Sequence, residues 1–199
     1  MPFKQITEKR AAATLVAIVG PPNSLKTTAV VLTWPQSDEA PLHILSYPGE
    51  KGYETIPQRP SIRSYVWEVD DPGKATAASV VRDVERTTNE ILSGKFGKVG
   101  SFCGDGLHKL YGYYFKAALD DLIASAASRK NWDGDEEKLR GPAYGRAHEN
   151  FNLYLHRTCA ARVPYIVMTL WEGAVKDKPE DTSRTAPKHI FPDLPGEMA

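Results

Sequence analysis

Residues Gly20-Pro21-Pro22-Asn23-Ser24-Leu25-Lys26-Thr27-Thr28 decide how this chain is read. They follow the apolar run Ala13-Thr-Leu-Val-Ala-Ile-Val19 and precede Ala29-Val-Val-Leu32. The run predicts a strand over about Ala13–Val19, continuous enough in apolar side chains to suit a central parallel strand buried on both faces. A helix is expected over Lys26–Thr33, stopped at Trp34-Pro35 because the residue before a proline is pushed out of the helical region. A glycine turn between the two brings backbone N–H groups together with the unpaired N–H groups of the first helical turn. Such a nest can cradle phosphate oxygens. The same residues also suit an ordinary turn, with Thr27-Thr28 capping a helix.

The spacing resembles a Walker A motif, with one departure. The consensus places glycine immediately before the lysine, and Leu25 stands there. Glycine removes side-chain bulk where the backbone turns toward phosphate, so Leu25 must point away or distort the nest. All nine residues, Gly20 to Thr28, form the candidate nucleotide-binding set. Within it Lys26 would reach the β- and γ-phosphates, and the Thr27 hydroxyl would hold Mg²⁺.

At 199 residues the chain is long enough for one domain with a sheet covered on both faces, and 25 Lys and Arg balance 25 Asp and Glu. That balance argues against a global field drawing the protein onto nucleic acid or a membrane; a DNA contact would be local. Cys103 and Cys159 lack any spacing with histidine that suggests zinc and are expected as core thiols. The polar opening residues do not resemble a signal peptide, and no apolar run approaches membrane-spanning length, so a cytoplasmic protein is expected.

The later segments supply further candidates. A strand over Pro41–Tyr47 runs into Pro48-Gly49-Glu50-Lys51-Gly52. Glu50 just beyond a strand tip is placed to orient or deprotonate an attacking water, although the segment also suits a solvated turn. A third strand is expected over Ser61–Val69, then a helix over Ala75–Leu92 with Val80, Val84, Thr88 and Ile91 on one stripe. The stretch Lys98-Val-Gly-Ser-Phe-Cys-Gly-Asp105-Gly-Leu-His-Lys-Leu110 predicts a strand ending at Asp105. In phosphate-loop enzymes a strand beside the first one ends in an aspartate that holds Mg²⁺ through water, and Asp105 has that place in the order of elements. Gly100 and Gly104 make the strand less apolar than usual, and Gly104-Asp105-Gly106 also suits a tight turn. His108 reads as a helix-start residue rather than a ligand.

Helical pattern continues through 127, and residues 128–142 are expected as a mobile loop whose Asp133, Asp135 and Glu136 lack calcium-loop spacing. A helix over Tyr144–Arg162 would carry His148, Phe151, Leu155 and Thr158/Cys159 along one face. Val163–Thr169 predicts a further parallel strand, with Thr169 at its tip as a γ-phosphate sensor and Trp171 and Glu172 as weaker candidates. The loop 174–189, with Lys176, Lys178, Arg184 and Lys188, is expected to be flexible and suits either single-stranded DNA or an uncommitted surface.

Taken together, Gly20–Thr28, Ile44–Gly52, Gly104–Leu110, Ile166–Glu172 and Phe191–Gly196 resemble, in this order, the RecA-like core of P-loop ATPases. More narrowly they resemble the AAA-family nucleotide-binding proteins of bacteriophages and prophages, some of which act with single-strand annealing proteins in recombination. The resemblance implies a three-layer α/β domain over residues 1–199 with a mainly parallel sheet, binding ATP and Mg²⁺. It implies Lys26 and Thr27 on phosphate and metal, Asp105 supporting the metal, Glu50 as catalytic carboxylate and Thr169 as sensor. It also implies an assembly of identical subunits. Members usually continue into further strands beyond Pro192-Asp-Leu-Pro-Gly196, so a chain ending at Ala199 is expected to be a fragment, or a short form whose sheet edge another subunit supplies. Two other functions compete. One is a small-molecule kinase, for which 128–142, with only Arg129 and Arg140, is a poor lid; the other is a degenerate, non-enzymatic DNA-binding or scaffold module, of which Leu25 would be the symptom.

Overall fold

The computed structural model describes residues 14–21, 24–67, 75–128, 133–173 and 191–192. Its strands are β1 (Thr14–Gly20), β2 (Leu42–Ser46), β3 (Ile62–Val66), β4 (Ser101–Asp105), β5 (Tyr165–Gly173) and a short β6 (Phe191–Pro192). The helices are α1 (Lys26–Thr33), α2 (Ala77–Leu92), α3 (Leu107–Ala127) and α4 (Glu137–Cys159). Five strands form a parallel sheet in the order β1-β5-β4-β2-β3, and β6 pairs antiparallel with the end of β5. The protein is therefore an α/β protein built on a parallel sheet.

Period-two alternation divides the sheet's side chains between two cores. Leu42 and Ile44 of β2, Cys103 of β4 and Val167 of β5 pack with Val30 and Val31 of α1. Their neighbours Leu45, Phe102, Ile166 and Met168 face the opposite way, into a larger cluster with α2, α3 and α4. Every residue of β2 and of β4 is buried, as strands covered by helices on both faces must be. Each fully buried Ile, Leu or Phe there contributes about 1.5–3 kcal/mol, so the two clusters fix which face each strand residue takes.

The α2 stripe predicted from sequence is buried as expected: Val80, Val84, Thr88 and Ile91, joined by Ala77. A hydroxyl network crosses this larger core. Tyr47 and Tyr154 share a hydrogen bond of 2.7 Å, and Thr88 Oγ1 lies 3.2 Å from the Tyr154 hydroxyl. Tyr47 reaches Tyr154 only because β4 carries glycine at 104. A Cβ there would lie 2.3 Å from the Tyr47 hydroxyl and 2.6 Å from Met168 Sδ. The glycine that dilutes the apolar pattern of β4 is thus required by the strand's packing.

Four sequence expectations are corrected. First, β1 is not central: it ends the sheet, pairing only with β5 among the described residues, and Leu15 and Val19 are 50% and 42% exposed. A continuous apolar run reports burial tendency and carries no information on strand order. Second, β4 is not beside β1, because β5 lies between them. Third, the expected loop 128–142 is shorter, since α4 starts at Glu137 and holds Pro142 in its second turn. Proline there is past the first turn, so the helix forgoes the hydrogen bond that an N–H at 142 would give to the Lys138 carbonyl. Residues 129–132 lie outside the described residues. Fourth, the buried stripe of α4 is Ala143, Ala147, Phe151, Tyr154 and Thr158, while His148 is exposed and Leu155 half-buried. Small alanines let α4 lie close against α3, and the larger residues drew the sequence reading one position round the helix.

Candidate functional site

The site forms where the C-terminal ends of β1, β2, β4 and β5 meet the start of α1. Strand alternation determines what gathers there. Asp105 shares a face with Cys103, Thr169 with Val167, and Ser46 with Ile44, and in each pair the earlier residue packs in the α1 core. The polar residues two positions on therefore face the N-terminus of α1, which begins at Lys26.

Asp105 is the hub. The Thr27 hydroxyl donates to both carboxylate oxygens, at 2.9 and 3.0 Å, and the Thr169 hydroxyl donates to Oδ1 at 2.5 Å. Thr169 Oγ1 in turn accepts from the Gly106 backbone N–H at 2.9 Å. All three side chains are buried, so the network is held in low dielectric, where each charge-assisted bond is strong. Gly52, at the start of a 3-10 turn over Gly52–Thr55, lies directly over it: a Cβ at 52 would come within 2.6 Å of Asp105 Oδ2 and 2.8 Å of Thr27 Oγ1.

Lys26 folds back over its own loop. Its Nζ donates to the carbonyls of Gly20 at 3.0 Å and Pro21 at 2.8 Å, and to Ser24 Oγ at 3.2 Å. Burial lowers its pKa, against the pull of Glu50 and Asp105. Leu25 resolves the question set by its position. Its φ is +58° and its ψ 26°, a left-handed conformation, and its side chain points outward, 69% exposed. The backbone at Leu25 thus takes a conformation that glycine adopts without penalty, at a cost of about 1–2 kcal/mol for a residue with a Cβ.

Glu50 lies on the other wall of the cleft. The turn that carries it is closed by the Glu50 N–H donating to the Tyr47 carbonyl at 3.0 Å. Its carboxyl pKa is raised, first by burial and then by the charge of Asp105, with Lys109 and Lys26 opposing. His108 Nε2 lies 3.5 Å from Glu50 Oε1. Burial, followed by Lys109 and Lys26, pushes the His108 pKa down to about 4. The cleft between these walls has a volume of about 580 Å³ and is lined by Ser24 to Thr28, Gly49 to Gly52, Glu54, Thr55, Asp105 and Thr169.

The structure thus brings Lys26, Thr27, Glu50, Asp105 and Thr169 to one cleft. Of the loop candidates, Ser24, Leu25 and Thr28 line it, and Gly20 and Pro21 present carbonyls to Lys26. Pro22, Asn23, the side chains of Trp171 and Glu172, and the 174–189 segment considered for DNA lie outside the described residues. Thr169 is not a strand terminus, since β5 runs on to Gly173, yet it stands level with the end of β4 because Met168 pairs with Gly104.

Sequence reading passes over Ser46 and Gly52 and takes His108, which does lie in the first turn of α3, for a helix-start residue only. Ser46, the register partner of Asp105, has a buried hydroxyl with no hydrogen-bond partner among the described residues. Gly52 permits the close approach over Asp105, and His108 adjoins Glu50. Alternation from Ile44 would have marked Ser46; nothing local to the sequence marks Gly52 or sets His108 beside Glu50.

No protein-family model matches the chain, and no curated protein sequence matches it. Among the described residues no helix is long and apolar enough to cross a membrane.

Proposed function

We propose that the cleft binds the phosphates of ATP with Mg²⁺ and hydrolyses the γ-phosphate. The observation that carries this reading is the pair of bonds from Thr27 to Asp105: the hydroxyl that opens the helix after the loop meets a carboxylate at the end of a different strand. A hydroxyl and a carboxylate are hard oxygen donors suited to Mg²⁺, which keeps several waters and takes the rest of its shell from substrate phosphates. Among the described residues no cluster of three or more His, Cys, Asp or Glu could hold a metal alone. The pair therefore fits an ion that arrives with the nucleotide. Bound there, Mg²⁺ would neutralise charge on the β- and γ-oxygens.

The chain's own residues divide the remaining work. Lys26 exchanges its loop carbonyls for phosphate oxygens, and the first N–H groups of α1, which have no acceptor within the helix, receive the others. Glu50 accepts a proton from the attacking water, and its raised pKa makes it a better base than an exposed carboxylate. Thr169 couples the Asp105 carboxylate to the Gly106 backbone, so a change at the metal side is felt at the start of α3.

The setting we infer from the resemblance is phage recombination or replication, with single-stranded DNA or an annealing protein as partner. The uncovered β1 edge among the described residues suits an assembly of subunits. The test is Mg²⁺-dependent phosphate release from ATP, with and without single-stranded DNA. Stimulation by DNA supports the full reading; phosphate release only with an added small acceptor selects a kinase, and no nucleotide binding selects a scaffold.

A further inference from the structure

We infer that His108 is a positioning residue for Glu50: its imidazole holds Oε1 of the carboxylate through an N–H contact and so presents the other oxygen to the attacking water. The inference rests on the ATPase reading of the cleft. Three observations lead to it.

Glu50 Oε1 is fully buried and has no hydrogen-bond partner among the described residues. A buried carboxylate oxygen left so is costly, and His108 Nε2 stands 3.5 Å from it. The second observation is how closely the glutamate is seated. Gly106 has φ +86°, and a Cβ there would lie 2.0 Å from Glu50 Cγ and 2.9 Å from Oε1. The glutamate stem therefore rests on the backbone of the β4–α3 turn, with His108 two residues on in the first turn of α3. The third is the charge state of the imidazole. Burial, then Lys109 of α3 and Lys26 of the loop, keep it neutral at physiological pH, with Glu50 the acid beside it. A neutral ring has one N–H to give and takes no proton from the reaction. In the step itself the water oxygen bonds to the γ-phosphorus, its proton passes to Glu50, and the bond to the β–γ bridging oxygen breaks with its electron pair leaving on ADP.

The test compares the full chain with His108→Phe, which keeps bulk without a donor, and His108→Gln, which keeps a side-chain N–H. With Mg²⁺ and ATP, His108→Phe should lower kcat by about tenfold to 10²-fold with KM unchanged, and His108→Gln should restore most of it. An unchanged kcat in His108→Phe, or equal loss of kcat and KM in both variants, overturns the positioning role. A second measurement does not need turnover: NMR titration of the Glu50 carboxyl should move to higher pH in His108→Phe and stay near the parent value in His108→Gln. Identical titration in all three proteins overturns the inference even if ATP is hydrolysed. A Glu50 that responds to His108 in a protein that binds no ATP upholds the contact and overturns the nucleotide reading alone.

Discussion

Thr27 and Asp105, 78 residues apart in the chain, are joined by one hydroxyl donating to both oxygens of a buried carboxylate. Removing the hydroxyl leaves Asp105 with Thr169 as its remaining side-chain donor in this network. Thr27→Ala is expected to destabilise the fold by about 1.5–3 kcal/mol and to abolish the Mg²⁺ enhancement of ATP binding. Thr27→Ser, which keeps the hydroxyl, should retain both. Chemical denaturation and ATP titrations with and without Mg²⁺ check this.

Leu25 gives the opposite sign. It holds a left-handed conformation while its side chain makes little packing contact, being 69% exposed. Leu25→Gly should relieve the strain and raise stability by about 1 kcal/mol, with ATP affinity kept or improved. A lower melting temperature together with weaker binding would show that the leucine side chain has a role the exposed position does not reveal.

Gly104→Ala tests the packing beneath the site. The new methyl would lie within 3.0 Å of Tyr47 and Met168, and Tyr47 is tied to Tyr154. A loss of about 1–3 kcal/mol is expected from overpacking. Because β4 ends in Asp105, nucleotide binding should weaken with it. A melting temperature equal to the parent's would mean that Tyr47 moves freely.

On the proposed reading, Glu50 would link pH to both stability and turnover. Its carboxyl pKa is raised in the folded protein, so the fold disfavours the ionised form, and its contribution to stability improves as pH falls through that raised pKa. At neutral pH, Glu50→Gln should therefore raise the melting temperature while lowering kcat by about 10²- to 10⁴-fold. Hydrolysis by the parent should decline as Glu50 protonates, above the usual carboxylate range. A variant that is both less stable and fully active would contradict both roles.

How much of this was legible in the sequence varied by element. Helix α1 and the α2 stripe followed directly from local pattern, since Lys26–Thr33 is bounded by a turn and Trp34-Pro35, and Val80, Val84, Thr88 and Ile91 recur at helical spacing. Each candidate site residue was marked by its place beyond a strand or before a helix. Their convergence required the strand order, and the edge position of β1 shows that a hydrophobic run does not supply it. The contacts of Gly52 and Gly106 were illegible because a missing Cβ gives no sign of what occupies its space. Ser46 was legible in principle, two residues beyond Ile44 on the same strand face.

The most direct test of the central claim is equilibrium binding of labelled ATP with Mg²⁺ to the parent and to Lys26→Ala. Lys26 supplies a cationic nitrogen that the loop holds over the Gly20 and Pro21 carbonyls. Exchanging these for phosphate oxygens should contribute about 1.5–3 kcal/mol, so the variant should bind about tenfold to 10²-fold more weakly. Equal or tighter binding by Lys26→Ala would contradict the assignment of this cleft to nucleotide phosphates.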